Sequence, residues 1–331
     1  MIKFCWMISL LTVLSASSTG QEAAMGEYKL AFPNHNGQLR WSAPGFKIIQ
    51  SSVKPNGNEI GLRGQDETKR ITFLGFLFLF SDQAPLTSAK CRDGVMEPEK
   101  KANKSLKVLN TSEVKRDGAL PLDLVTYTTD VRGSKTQHMV RGFIADGDIC
   151  GDLEFYSDST ISVDDNAIKN AFASYELDQT HVPRFNDVFL YAQMLYNMHS
   201  YKAAGPMFEA ALAKMREEHP PGNETTMTRV LTDQAGMSYG ISGDISKTRA
   251  IFQKAIVADP NYPLYYYNLA CADAVEKKLK DAEVHLQQAF DRKANVTAGE
   301  SMPDPTKDDS FLPYRNDEKF WAFVEGLHAK P

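Results

Sequence analysis

The chain has 331 residues, enough for two ordinary domains, with 42% hydrophobic and 24% charged residues, the balance of a soluble globular protein. The net charge is −5, and from residue 183 onward 17 Lys/Arg face 20 Asp/Glu. Neither part carries the basic face that phosphate neutralisation needs, which excludes nucleic acid as the main partner.

Residues 1–20 read as a secretory signal peptide. Lys3 supplies a short positive start, Phe4 to Leu14 an 11-residue run broken only by Ser9 and Thr12, and Ser15 to Gly20 small residues for cleavage. The run is too short for a membrane span of about 20 residues, and no later stretch approaches that length. Cleavage is placed after Gly20, with Ser17 and Ala24 as alternatives. Cys5 lacks a small-residue lipobox before it. The sequence thus predicts an exported protein, periplasmic or secreted, without a transmembrane segment. Export permits disulfides, and Cys91 and Cys150 lie in one domain and are candidates to pair, whereas Cys271 falls in a helix. Asn103, Asn110, Asn223 and Asn295 stand in Asn-x-Ser/Thr tripeptides, glycosylation acceptors in a eukaryotic secretory pathway.

Residues 25–180 alternate with period two or run in short apolar stretches, which predicts an α+β domain with an antiparallel sheet. Expected strands are 27–32, 38–41, 46–53, 59–64 and 71–80. Asn56-Gly57 marks a hairpin. The run ITFLGFLFLF at 71–80 reads as a central buried strand, with Gly75 suggesting a bulge or a close backbone contact. Residues 86–104 suit a surface helix interrupted near Pro98. Strands at 107–115, 122–129, 137–144 and 150–156 follow, turned at Asp117-Gly118, Arg132-Gly133 and Asp146-Gly147, as an antiparallel meander. Residues 164–175 are amphipathic, with Asp164 or Asp165 as cap. This element order resembles the PsbP/Mog1-type α+β sandwich. The resemblance rests on element order over 27–178, implies a binding or assembly role, and assigns no functional residue. Asp146, Asp148 and Gly151 mimic part of a calcium loop, but Cys150 and Ser157 stand where ligands are needed, so a tight β-turn is expected.

After Pro183 the period becomes helical, and one pattern is written twice. Ala282, Leu286 and Ala289 fall 34 positions after Thr248, Phe252 and Ala255, and Ala235-Gly236 recurs as Leu269-Ala270. A helix–turn–helix period of this length with small residues at fixed offsets resembles the tetratricopeptide repeat (TPR). Ala204, Phe208 and Ala211 mark an earlier copy, set 44 rather than 34 residues before Thr248 by an inserted loop at His219–Met227. The expectation is an all-α solenoid domain over 183–327, with repeats at about 185–218, 229–262 and 263–296. Antiparallel helices approach to about 8–10 Å only over short side chains, hence Gly236 and Ala270. The departures are Thr232 and Tyr266 for the family's tryptophan, Thr248 for an alanine and Ala294 for the closing proline. A final amphipathic helix at 317–327, with Phe320, Trp321, Phe323, Val324 and Leu327, covers the end of the stack, or alternatively binds a partner.

No catalytic or cofactor motif occurs. The seven His (35, 138, 181, 199, 219, 285 and 328) are scattered, and no Cys spacing suits zinc. The sequence therefore predicts a non-enzymatic protein without metal or cofactor. The TPR resemblance implies a groove, lined by the first helix of each pair, for a peptide or helix of a protein partner. Carried over, its positions are Asn186, Phe189, Gln193, Tyr196 and Asn197, then Asp233 and Met237, then Tyr267 and Cys271. Phe189 stands where carboxylate-clamping members have lysine. The alternative is an exported ligand-binding protein or enzyme with its site in 25–180 and repeats for recruitment.

Overall fold

The structure is a computed structural model that describes residues 26–80, 85–131 and 135–328. The expected signal segment and the Arg132-Gly133 turn lie outside these residues. The chain divides into two compact units between Met194 and Leu195.

The first unit is sheet-rich. Its strands are β1 (Glu27–Ala31), β2 (Gln38–Ser42), β3 (Lys47–Val53), β4 (Glu59–Asp66), β5 (Ile71–Leu79), β6 (Lys107–Arg116), β7 (Ala119–Val131), β8 (Lys135–Asp146), β9 (Ile149–Ser157) and β10 (Glu176–Asp178). Helix α1 (Ser88–Ala102) follows β5, and α2 (Asn166–Ala173) follows β9. Rather than one sheet there are two, both antiparallel: seven strands in the order β3-β4-β5-β9-β8-β7-β6, and three in the order β1-β2-β10. The strands after α1 form a meander, and β9 returns beside β5. Turn chemistry sets the registers. Gly57 sits at φ +78 in the β3–β4 hairpin, where the Lys54 N–H reaches the Glu59 carbonyl at 2.9 Å. Gly147, at φ +60, follows Asp146 in the two-residue loop that pairs Asp146 with Ile149. The partial calcium pattern is thus a hairpin turn.

Side-chain alternation gives the large sheet two different faces. Val125, Tyr127, Phe143, Ala145 and Cys150 form one cluster with Cys91 and Met96 of α1. The intervening positions face Leu39, Trp41, Phe172 and Tyr175. There Gly75 keeps an unbroken register with Leu62 and Leu153, so no bulge forms. A Cβ on it would lie 2.6 Å from the Trp41 ring, so the glycine is where the indole meets the sheet. Tyr28, Trp41, Phe46, Phe73, Phe155 and Phe172 continue as a chain of ring contacts with centroids 4.9–5.9 Å apart.

Two local expectations change. Helix α1 runs through Pro98 without interruption. The proline removes one helix hydrogen bond, but Cys91 and Met96 are buried on the sheet and Glu99 pairs with Arg141, so tertiary contacts hold both sides of the break. Asp165 occupies the N-cap of α2 but gives no side-chain cap; its carboxylate instead accepts the Ser162 N–H at 2.8 Å.

The second unit is helical. Helix α3 (Phe185–Asn197) contains the division. It is followed by α4 (Tyr201–Glu218), α5 (Glu224–Ile241), α6 (Ile245–Ala258), α7 (Pro263–Val275), α8 (Leu279–Phe290) and α9 (Glu318–His328). From α4 to α8 consecutive helices pack on one another, and α5 also meets α7. Asn223 caps α5 on the Thr226 N–H and Asp244 caps α6 on the Lys247 N–H, both at 3.0 Å. The insertion is shorter than expected, because α5 already starts at Glu224; His219, in the left-handed conformation, closes α4 just before Pro220-Pro221. Gly236 lies where α5 and α6 approach. A Cβ on Gly236 would lie 2.3 Å from the Phe252 ring, and the Thr248 hydroxyl donates to the Gly236 carbonyl at 3.1 Å. Phe320, Val324 and Leu327 of α9 close a cluster with Ala270, Ala274, Leu286 and Ala289. Among the described residues no helix is long and apolar enough to cross a membrane.

Candidate functional site

The expected groove residues divide between the units. Asn186, Phe189 and Gln193 belong to the first. Asn186 is exposed; Phe189 is half-buried and stacked on Phe185 at 5.7 Å. Two residues on from Phe189, the Tyr191 hydroxyl donates to the Lys54 carbonyl at 2.8 Å, so this stretch of α3 is tied to the β3–β4 turn. Tyr196 and Asn197 open the second unit. Asn197 is exposed, whereas the Tyr196 ring packs against Tyr201 and Phe208, with centroids at 5.1 and 6.0 Å.

Asp233, Met237, Tyr267 and Cys271 come together, because α5 and α7 face each other. Between α5, α6 and α7 lies a small apolar pocket. Met237 and Gly240 line it from α5, Phe252 from α6, and Cys271, Ala272 and Val275 from α7. Its origin is local. Gly236 and Gly240 remove two side chains one turn apart; the Phe252 ring fills the first gap, and Thr248 borders the second, 3.3 Å from where a Cβ on Gly240 would lie.

At one end of this face the Asn268 amide donates to the Asp233 carboxyl. Burial and the negative Glu300 push the Asp233 carboxyl up to about 8, against the opposing pull of Asn268. Glu300 is itself held: both its oxygens lie 2.9 Å from the Tyr262 hydroxyl, and it accepts the Thr297 N–H at 2.9 Å. Asn268 and Glu300 were not foreseen. The signal for Asn268 was a single amide in the aromatic and small-residue run Tyr265–Ala272, a polar group that demands a partner once buried.

Tyr267 and Cys271 depart from expectation. They do not line an open groove: Tyr267 is 0% exposed and Cys271 2%. Residues from beyond α8 cover them. The Tyr267 hydroxyl donates to the Asp308 carboxylate at 3.0 Å, Phe311 meets the Tyr267 ring edge-on at 6.0 Å, and the Cys271 Sγ lies 3.9 Å from the same carboxylate. Burial, then the Asp308 charge, raises both the Tyr267 hydroxyl and the Cys271 thiol well above their ordinary ranges, which leaves the thiol protonated and unreactive.

The first unit holds a second polar cluster, on the α1 face of the large sheet. Arg141 makes a two-pronged pair with Asp152 at 2.8 and 2.6 Å, another with Glu99 of α1 at 2.6 and 3.1 Å, and meets Glu154 at 3.1 Å. Tyr127 donates to Glu154. Burial raises the Asp152 and Glu154 carboxyls, with Arg141 opposing it. The guanidinium edges are engaged by the chain's own carboxylates, and the arrangement ties α1 to β8 and β9. A disulfide between Cys91 and Cys150, with Cα atoms 5.5 Å apart, makes the same connection. Among the described residues no group of three or more His, Cys, Asp or Glu is placed to hold a metal ion.

Comparison with known proteins places the chain in no family. No family model matches it, and no curated protein does. Among solved structures, the solution structure of cyanobacterial PsbP (CyanoP) from Synechocystis sp. PCC 6803 is 11% identical with a TM-score of 0.34, over 46% of this chain and 94% of that one. A crystal structure from Bacteroides thetaiotaomicron VPI-5482 is 7% identical with a TM-score of 0.27, over 61% of this chain and 78% of that one. The N-terminal part of the chain thus bears a weak structural resemblance to PsbP, too slight to carry an argument about function.

Proposed function

We propose that this is an exported, non-enzymatic interaction protein whose helical unit is a short TPR-like array that receives a segment of a protein partner on the face formed by α5 and α7. The observation that carries this reading is the small apolar pocket bordered by Met237 and Cys271. Both residues stand where the repeat resemblance puts ligand contacts. An apolar pocket beside aromatic and amide side chains suits an apolar anchor of an extended peptide or an amphipathic helix. The boundaries of α3–α4, α5–α6 and α7–α8 support the repeat reading, since they fall where three helix pairs were expected.

The test is selection from a phage-displayed random-peptide library, followed by titration of the selected peptides. Met237→Asp puts a charge at the pocket and should weaken binding at least tenfold, about 1.4 kcal/mol or more, while the thermal midpoint holds. Selected peptides that bind wild type and Met237→Asp equally would place the ligand elsewhere and sink the reading. The export part is tested by N-terminal sequencing of the natively expressed protein, expected to begin at Gln21. A mature protein that retains Met1 contradicts it.

A further inference from the structure

The two buried groove positions on α7 point to what the groove prefers. Tyr267, Cys271 and Ala274 form one stripe of α7, spaced by four and three residues. Asp308, Phe311 and Tyr314 lie along it in the same order. Asp308 accepts from Tyr267 at 3.0 Å, Phe311 packs on the Tyr267 ring, and the Tyr314 hydroxyl donates to the Ala274 carbonyl at 2.5 Å. Up to the short 3-10 turn Leu312–Tyr314, the segment from 296 has no regular structure of its own, so the helix face orders it. Its docking carries a cost. Asp308 is 6% exposed, and among the described residues no Lys, Arg or His forms an ion pair with it; besides Tyr267 and the Cys271 sulfur, it accepts the Ser310 N–H at 2.8 Å. A buried carboxylate without a cation is a weak point in an otherwise apolar contact. Beyond it, Phe320 of α9 meets the rings of Phe311 and Tyr314 at 6.2 and 6.0 Å, while Val324 and Leu327 join the same cluster as Leu286 and Ala289. The chain between α8 and α9 is therefore tethered at both ends, and leaving the stripe gives up the Phe320 ring contacts while Val324 and Leu327 hold α9 to the cluster.

We propose that residues 304–314 are a tethered occupant of the α7 face, and that the cognate partner carries the same chemistry, an acidic residue followed three positions later by an aromatic one, and displaces this segment to bind. This rests on the function proposed above and names its ligand class. The partner is then a short acidic–aromatic peptide segment, and the free protein is self-blocked.

The test uses the full chain and a fluorescent synthetic peptide of residues 303–314. Wild type should bind it weakly. The double variant Asp308→Asn/Phe311→Ala weakens the tethered copy but leaves the α7 face intact, and should bind the peptide at least tenfold more tightly. A peptide carrying the same two changes should lose that gain. A folded double variant that binds the peptide no better than wild type overturns the proposal. Should the double variant not fold, a protease site inserted after Ala298, an exposed position, replaces it. On the cleaved chain, excess peptide should speed hydrogen exchange of amides 306–312 at least tenfold, and unchanged exchange overturns the proposal. Selected library peptides that still bind through Met237 would in that event leave the proposed function standing. Loss of their dependence on Met237 removes that function as well.

Discussion

Asp233 shows how one side chain links the groove to pH. Its carboxyl is held near 8 by burial and by Glu300, whereas in the unfolded chain it titrates near its ordinary value of about 4. Between those limits the folded state binds a proton that the unfolded state has released. The contribution of this residue to stability is therefore fully present below about pH 4 and is lost as pH rises toward about 8. Asp233→Asn keeps an oxygen for the Asn268 amide and removes the titration. Urea midpoints of wild type and variant should diverge steadily from pH 4 to pH 8, with the variant the more stable at the upper end. A wild-type-minus-variant difference that stays flat across that window would mean that Asp233 is ionised in the fold. Arg141 is the contrasting case, a buried cation that its own carboxylates surround. Asn268, Glu300 and Asp308 show why the site was only partly legible. Met237 and Asp233 could be placed from the repeat spacing, since that spacing is local. The cover over Tyr267 comes from Asp308, 41 residues along in a stretch that reads as a loop because of Pro303 and Pro305.

Among the elements, those with strong local punctuation were the readable ones. The hairpins at Gly57 and Gly147 fall close to their expected bounds, because turn residues act within a few positions, whereas α5, capped by Asn223, starts at Glu224 inside the expected inserted loop. Strand β10, only Glu176–Asp178, has too little alternation to be recognised, and with it the three-stranded sheet was missed. That sheet exists through long-range pairing of Leu177 with Leu39. The helix pairs depend on small residues, and this makes a sharp test. Gly236→Ala introduces a methyl 2.3 Å from the Phe252 ring, itself fully buried, so neither side has room to yield. The overpacking should cost about 1–3 kcal/mol against a gain of about 1 kcal/mol from helix propensity, which leaves a net destabilisation of up to about 2 kcal/mol. A chemical denaturation curve for the helical unit that does not move would place the α5–α6 contact somewhere other than at Gly236.

For the whole molecule, the division into two units matters for stability, and the Cys91–Cys150 disulfide belongs wholly to the first. It spans 59 residues of chain and joins α1 to β9, and on the chain-entropy account closing a loop of that length is worth about 4 kcal/mol. The Arg141 cluster makes the same connection non-covalently, so the reduced first unit keeps α1 in place at lower stability. Each unit also carries its own reporter, with Trp41 buried between the sheets of the first and Trp321 on α9 of the second. Unfolding of a two-unit chain is expected to show two transitions, which a single midpoint would not describe. With Trp6 also replaced by Phe, the variants Trp321→Phe and Trp41→Phe each keep one tryptophan and separate the two signals. Under a thiol reductant the Trp41 transition should shift to lower urea by an amount equivalent to about 2–4 kcal/mol, while the Trp321 transition stays within about 0.5 kcal/mol of its oxidised position. Equal shifts in both probes would mean that the units unfold as one body, and no shift in either would mean that the bond contributes nothing to the fold it crosses.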